Sequence, residues 1–369
     1  MFARTVLAWA VLCSAAQQTS PEQAPRWRMQ YFYDEVKSNL IFRDIQFISP
    51  KRGVAVGVIV EGKSVKPVSV TTDDGGEHWR LAPLDENPVS LFFLENGEGW
   101  MATEKGLWHT SEGGRDWKKL PRPPAQPIRV HFLDANNGWA ACLKKTVLVT
   151  HDGGHKWETV AAASDPAGAA DRSMYTWIAF ANPKYGLISG LNQPIPRFLP
   201  MFPTALDPED ALTRRETAHL SYKLTTNDGG QTWKAESASL IGHITKIRLS
   251  PNGTGLGLIE YNDSFKYASE VYKIDWKTGK FGTIFRDKKY AISDVWLSSD
   301  GKVYLAGAEF PGEVRSVAPG KVRVLVSTDF KDWNEQAVDY RATAQQVVFA
   351  GAGEEMWMAT DGGMILKLQ

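Results

Sequence analysis

The sequence predicts an all-β chain, a single seven-bladed β-propeller of four-stranded blades. Two observations predict it: an apolar strand–turn–strand unit that recurs seven times, and a Gly- and Trp-bearing turn that recurs within that unit. Composition agrees, because 32 Gly and 14 Trp in 369 residues suit many short strands, glycine serving the turns and tryptophan the packing. A balance of 42 Lys+Arg against 42 Asp+Glu leaves no electrostatic footprint for nucleic acid and no polybasic membrane patch. Cys13 and Cys142 cannot build a disulfide framework, and no Cys/His cluster has metal-ligand spacing, so neither a metal nor a cofactor is expected.

Residues 1–16 read as a signal peptide. One cation, Arg4, precedes an apolar stretch from Val6 to Leu12 that is too short to span a bilayer, and Ser14 and Ala16 occupy the −3 and −1 positions of a cleavage site. Cleavage after Ala16 gives a periplasmic or secreted chain with no transmembrane segment. Lipid anchoring through Cys13 is the weaker alternative, because bulky Leu12 stands where a small residue is expected. Residues 17–26, polar with two prolines, form a flexible lead-in, and the propeller occupies residues 27–369.

The repeat is read from its anchors. Phe47, Phe93, Phe132, Phe180, Leu249, Leu297 and Phe349 each end a strand-like segment and are followed by a polar five-residue turn. Six residues after each anchor stand Gly53, Gly99, Gly138, Gly186, Gly255, Val303 and Glu355, opening a second apolar strand; the last copy slips by one residue, at Met356 and Trp357. Anchor spacings of 46, 39, 48, 69, 48 and 52 residues each suit one four-stranded blade.

The second signature sits between strands C and D of a blade and fits Ser/Thr-x-Asp-x-Gly-x-x-Trp. Its copies are Thr72, Asp74, Gly76 and Trp79; Thr110, Glu112, Gly114 and Trp117; Thr150, Asp152, Gly154 and Trp157; and Thr226, Asp228, Gly230 and Trp233. A shortened copy runs from Ser327 to Trp333. In such a turn the acid accepts backbone N–H groups, the glycine takes positive φ, and the Trp starts the next strand. With these motifs the chain resembles the BNR/Asp-box β-propellers, and the run from Phe132 and Asp134 through Gly138 and Trp139 to Asp152 and Gly154 is most similar to the photosystem II stability/assembly factor branch. The resemblance covers residues 27–369 and is specific for fold far more than for function.

Two irregular parts complete the reading. The last copy has three strands and stops at Gln369, so the strand that begins at Trp27 is expected to supply the fourth and close the ring. The long fourth spacing holds an insertion at 192–219 in blade four, with five prolines and no strand alternation, within which residues 207–212 carry the capping pattern of a short helix.

The turn carboxylates repeat as a structural need repeats, so no catalytic role is assigned to them. The sialidase members of this superfamily use an arginine trio, a Tyr–Glu nucleophile pair and an acid. Here Phe42-Arg43-Asp44-Ile45 departs from the expected arginine motif, and Glu260 with Tyr261 is a conceivable pair that strand-end packing explains as well. His151 and His155 read as exposed turn residues, and nucleophile-elbow, Walker and zincin signatures are absent. The face carrying the B–C and D–A loops holds Lys63, Lys66, Lys105, Lys144 and Lys145, with Arg197, Phe198, Phe202, Arg214 and Arg215 in the insertion, as a candidate binding face. By resemblance to the assembly-factor branch, the expected function is a non-catalytic scaffold that holds another protein, such as a membrane or envelope complex during its assembly. The competing expectation is a carbohydrate-active propeller, either a glycan-binding protein or, as an enzyme, a glycoside hydrolase.

Overall fold

The computed structural model describes residues 24–193, 218–261, 267–309 and 320–369. The signal segment, most of the lead-in, and the insertion's helix at 207–212 lie outside the described residues. Among the described residues, five four-stranded antiparallel sheets stand alone, and one nine-stranded sheet holds two more four-stranded sets plus the short strand Thr343–Ala344. The inner strands, each called strand A of its blade, are Ser38–Phe47, Pro88–Phe93, Pro127–Phe132, Ser173–Phe180, His243–Leu249, Tyr290–Leu297 and Val347–Ala352. They touch one another in cyclic order, the seventh returning to the first, so the sheets form a closed β-propeller.

The N-terminal strand Arg26–Phe32 pairs antiparallel with Met364–Leu368 and completes the last blade. Main-chain bonds between Arg26 and Gln369 run in both directions, at 2.7 and 2.9 Å. Trp27 is fully buried, and its indole N–H donates to Gln336 Oε1 at 2.9 Å. The structure adds a contact with no sequence signature: Arg26 and Trp27 also pair in parallel with Ala337 and Val338 of blade six, which merges the sixth and seventh sheets.

The six-residue interval from anchor to glycine has a steric cause. The two residues face each other across the A–B hairpin, as Phe47 faces Gly53 and Phe132 faces Gly138. A Cβ on Gly138 would lie 2.4 Å from the Phe132 ring, and one on Gly99 would lie 2.3 Å from Phe93. The anchor ring therefore lies flat on the glycine and meets the preceding blade with its other face. Phe132 stacks on Trp100 of blade two at 3.6 Å and 6°, and Phe47 stacks on Trp357 of blade seven at 3.5 Å and 8°. The indoles continue outward to the next blade's turn, Trp100 Nε1 donating to the Gly153 carbonyl at 2.9 Å and Trp357 Nε1 to that of Gly75 at 3.2 Å. Each such aromatic contact is worth about 1 kcal/mol beyond its buried area.

Gly138→Val should therefore destabilise the protein by about 3 kcal/mol, through overpacking and loss of the Phe132–Trp100 stack. Gly282, where an added Cβ meets nothing within 4 Å, supplies the control. Urea denaturation should show Gly282→Ala within about 0.5 kcal/mol of the parent. Equal midpoints for the two variants would remove the steric account of the repeat.

Candidate functional site

The carboxylates in the turns between strands C and D are held by hydrogen bonds of the turns themselves. In the first, Thr72 Oγ1 accepts Gly76 N–H at 2.9 Å and donates to Asp74 Oδ1 at 2.8 Å; Asp74 Oδ1 also accepts His78 N–H at 2.9 Å, and Trp79 Nε1 donates to the Gly76 carbonyl at 3.1 Å. Thr150, Asp152, Gly154 and Trp157 repeat this set, and Thr226 and Asp228 bond Gly230 and Thr232 likewise. These bonds hold the carboxyls below the usual carboxylate range, Asp228 at about 2 with Thr232 the first cause. Glu112 is the exception: its backbone N–H reaches Thr110 Oγ1 at 3.1 Å, and its longer carboxylate makes no bond to the turn among the described residues. Asp74, Glu77 and His78 bring possible metal-ligand atoms within 4.8 Å of one another, but all three are exposed and His78 Nδ1 is already joined to Asp74 Oδ2 at 2.7 Å.

The axis of the ring is different. In six of the seven inner strands the register slips by one residue ahead of Asp44, Ser90, Arg129, Trp177, Lys246 and Asp294, each three residues before its anchor. A bulge of this kind re-aims the side chain that follows it. Asp44, Arg129, Trp177 and Lys246, with Gln46, Arg248, Trp296 and Val348 from the position just before the anchor, line an axial cavity of about 200 Å3. Arg129 lies 4.0 Å over the Trp177 ring, Lys246 5.0 Å over the same ring, and Arg248 4.9 Å over Trp296.

Charge in this cavity is unbalanced. Asp44 Oδ2 accepts Leu91 N–H from the next blade at 3.0 Å, and Asp294 Oδ2 accepts Phe349 N–H from the next at 2.8 Å; each Oδ1 accepts the following residue's N–H. The two acids thus fasten neighbouring blades, and their ion contacts are long, Arg129 to Asp44 and Arg248 to Asp294 both at 3.5 Å. Lys246 makes no hydrogen bond or ion pair among the described residues. Burial pulls its ammonium below its ordinary value, as it does the Arg129 guanidinium, and Asp294 and Asp44 offset this only in part. His131, stacked on Phe180 at 5.1 Å and tilted against Phe92 at 4.7 Å, is brought down to about 4 by burial and by Arg129, so it is neutral near pH 7. Three cations face two carboxylates already engaged by backbone N–H groups, an arrangement that suits an incoming anion.

The residues singled out in the sequence lie elsewhere. Lys63 is exposed on the blade-one B–C hairpin, and Lys66 is paired with Glu61 at 2.7 Å. Lys145 Nζ donates to the carbonyls of Ser164 at 3.0 Å, Pro166 and Gly168, tying two loops together. Lys105 and Lys144 are exposed and meet in one groove. Arg197, Phe198, Phe202, Arg214 and Arg215 fall outside the described residues. Glu260 and Tyr261 do not form a nucleophile pair: Tyr261 OH donates to Glu270 Oε2 at 2.5 Å, and Glu260 Oε1 accepts from Thr245 at 3.0 Å. Tyr261 is 5% exposed, and burial pushes its phenol up, the opposite of activation. Of the Phe42–Ile45 segment, only Asp44 and Ile45 reach the axial cavity. The axial residues were missed because single charges scattered over six blades form no motif; reading the position three before every anchor would have collected them.

Fold and cavity together define a closed β-propeller with a cation-bearing axial site. No family model matches the chain. Two curated proteins, both named photosystem II assembly lipoprotein Ycf48, are similar to it: one from Synechococcus sp. (strain CC9902), 33% identical over 157 residues, 40% of this chain and 43% of that protein, and one from Synechococcus sp. (strain RCC307), 27% identical over 118 residues, 30% and 34%. The chain thus matches less than half the length of these relatives. Among solved structures, Ycf48 bound to D1 peptide superposes with a TM-score of 0.59 at 16% identity, covering 92% of this chain and 98% of that one; Ycf48 from Cyanidioschyzon merolae also gives 0.59 at 16%, covering 93% and 98%. The WD40 propeller domain of Doa1 gives 0.56 at 9% identity, covering 93% and 96%. The sequence likenesses support a propeller similar to the photosystem II assembly factors, and the structural ones show the fold.

Proposed function

We propose that this chain is a non-catalytic assembly scaffold that receives a carboxylate-bearing peptide of a membrane-protein partner in its axial cavity. The carrying observation is the cation surplus: Arg129, Lys246 and Arg248 line the cavity with Asp44 alone, and both Asp44 and the buried Asp294 behind Arg248 already use their oxygens to join blades. The likeness to Ycf48, one structure of which holds a D1 peptide, supports photosystem II assembly as the setting. Both curated relatives are named lipoproteins, which favours anchoring through Cys13 over the cleavage after Ala16 expected from the sequence. Anchoring would hold the propeller beside a membrane, and no helix among the described residues is long and apolar enough to cross one. The carbohydrate reading is not favoured, since the cavity offers no carboxylate free for acid–base work.

Titration calorimetry with the D1 peptide tests the proposal. Binding should weaken about tenfold between 50 and 300 mM salt, as a desolvated charge contact reinforced by steering requires, and weaken again when the peptide's carboxyls are amidated. Absence of binding, or affinity indifferent to both changes, would overturn it.

A further inference from the structure

A second basic site opens beside the axial cavity. The B–C turn of blade two, the linker into blade three and the B–C turn of blade three enclose a groove of about 290 Å3. Lys105, Arg122 and Lys144, one from each of these segments, line its rim, and all three are exposed with no ion pair or side-chain hydrogen bond among the described residues. Its remaining walls mix polar and apolar groups: Gln126 and Thr146 stand beside Pro123 and Pro127, which are buried, and Pro124 and Leu143, which face outward. On a chain of zero formal charge, three cations without an ion pair around one groove are a local departure.

Backbone conformation adds an independent observation. Lys144 and Lys145 both have positive φ, 56° and 55°, in a tight hairpin turn where Asn-Gly would be the less strained choice. Lys145 uses that conformation to bond three carbonyls of the neighbouring loop. Lys144 makes no such bond and joins the groove. The prolines fix the linker's shape before any partner arrives, which lowers the entropic cost of binding.

The groove and the axial cavity share no lining residue, but one strand serves both. Pro127 closes its inner end, and Arg129, two residues further along the same strand, lines the axial cavity, a step of about 7 Å. A peptide whose carboxylate sits among Arg129, Lys246 and Arg248 would have this groove within the reach of a few residues.

We propose that the groove between blades two and three is a second subsite for the same partner: it holds an extended segment bearing acidic and apolar residues a few positions from the axial carboxylate. Acidic side chains meet Lys105, Arg122 and Lys144, and an apolar one lies on Pro124 and Leu143. The proposal rests on the axial-peptide reading and adds the segment's composition and its path across the surface.

The test uses two synthetic peptides with free carboxyl termini: the five-residue Gly-Ser-Gly-Asp-Ala and the ten-residue Glu-Asp-Leu-Glu-Pro-Gly-Ser-Gly-Asp-Ala. The protein is the full chain and a triple variant, Lys105→Ser, Arg122→Ser and Lys144→Asn. Solution NMR titration should show the longer peptide binding the parent about tenfold more tightly than the shorter one, an advantage the triple variant loses. The shorter peptide should bind both proteins alike. An unchanged advantage in a triple variant that melts like the parent would overturn the groove subsite and leave the axial reading intact. Failure of the shorter peptide to bind the parent at millimolar concentration would overturn the axial reading, and the subsite with it.

Discussion

Deletion of residues 26–32 is expected to lower the thermal midpoint by about 6 °C or more and to broaden the transition. The strand is last in space and first in sequence, so its loss exposes two edges at once: the outer edge of Met364–Leu368 and that of the blade-six strand Asn334–Val338. Trp27 also leaves the core, where its ring lies 5.6 Å from Phe349. Loss of one buried Trp costs about 4 kcal/mol, and in a domain of this size each kcal/mol moves the midpoint by about 1.5 °C. Trp27→Ala in the full-length chain separates the contributions: it should show most of the loss while keeping one sharp transition, because the strand still closes the ring. Calorimetry of both variants checks this. A truncated chain that melts with the parent would mean that the ring holds through the blade-to-blade stacks alone.

That closure was legible because counting works for repeats. Seven anchors and six complete blades leave one strand short, and a Trp-initiated segment waits unassigned at the other end of the chain. The glycine spacing was equally plain, since a ring lying on a backbone forbids any Cβ there. The pairing of Trp27 with Val338 was not legible, because parallel pairing of two short segments at a sheet edge leaves no periodic trace. The axial site failed to show for another reason. Propeller function gathers single residues from many blades, and Arg129, Trp177, Lys246 and Trp296 stand in local contexts that read as ordinary strand residues. The lysines that did stand out were in hairpin turns, where solubility alone selects them; Lys66 and Lys145 turn out to be engaged by Glu61 and by loop carbonyls.

Lys246→Met should move stability and binding in opposite directions. The Lys246 ammonium sits at the axis with burial pulling down its pKa, without an ion pair among the described residues, over the Trp177 ring at 5.0 Å. Methionine retains the aliphatic stem and the contact with the indole and removes a poorly solvated charge, so the folded state should gain about 1 kcal/mol. A carboxylate entering the cavity would lose a charge-assisted hydrogen bond in a poorly hydrated site, a loss of about 2–3 kcal/mol and so about 30- to 150-fold in affinity. Arg129→Met behaves differently, because it strips Asp44 of its cation 3.5 Å away, and should lower stability and binding together. Melting curves and peptide titrations of the two variants separate the roles. If Lys246→Met destabilises the chain, the ammonium serves the fold and the axial cavity is only packing. If it stabilises while binding collapses, the protein keeps an uncompensated charge at its centre against its own stability, as a site built for a partner's anion requires.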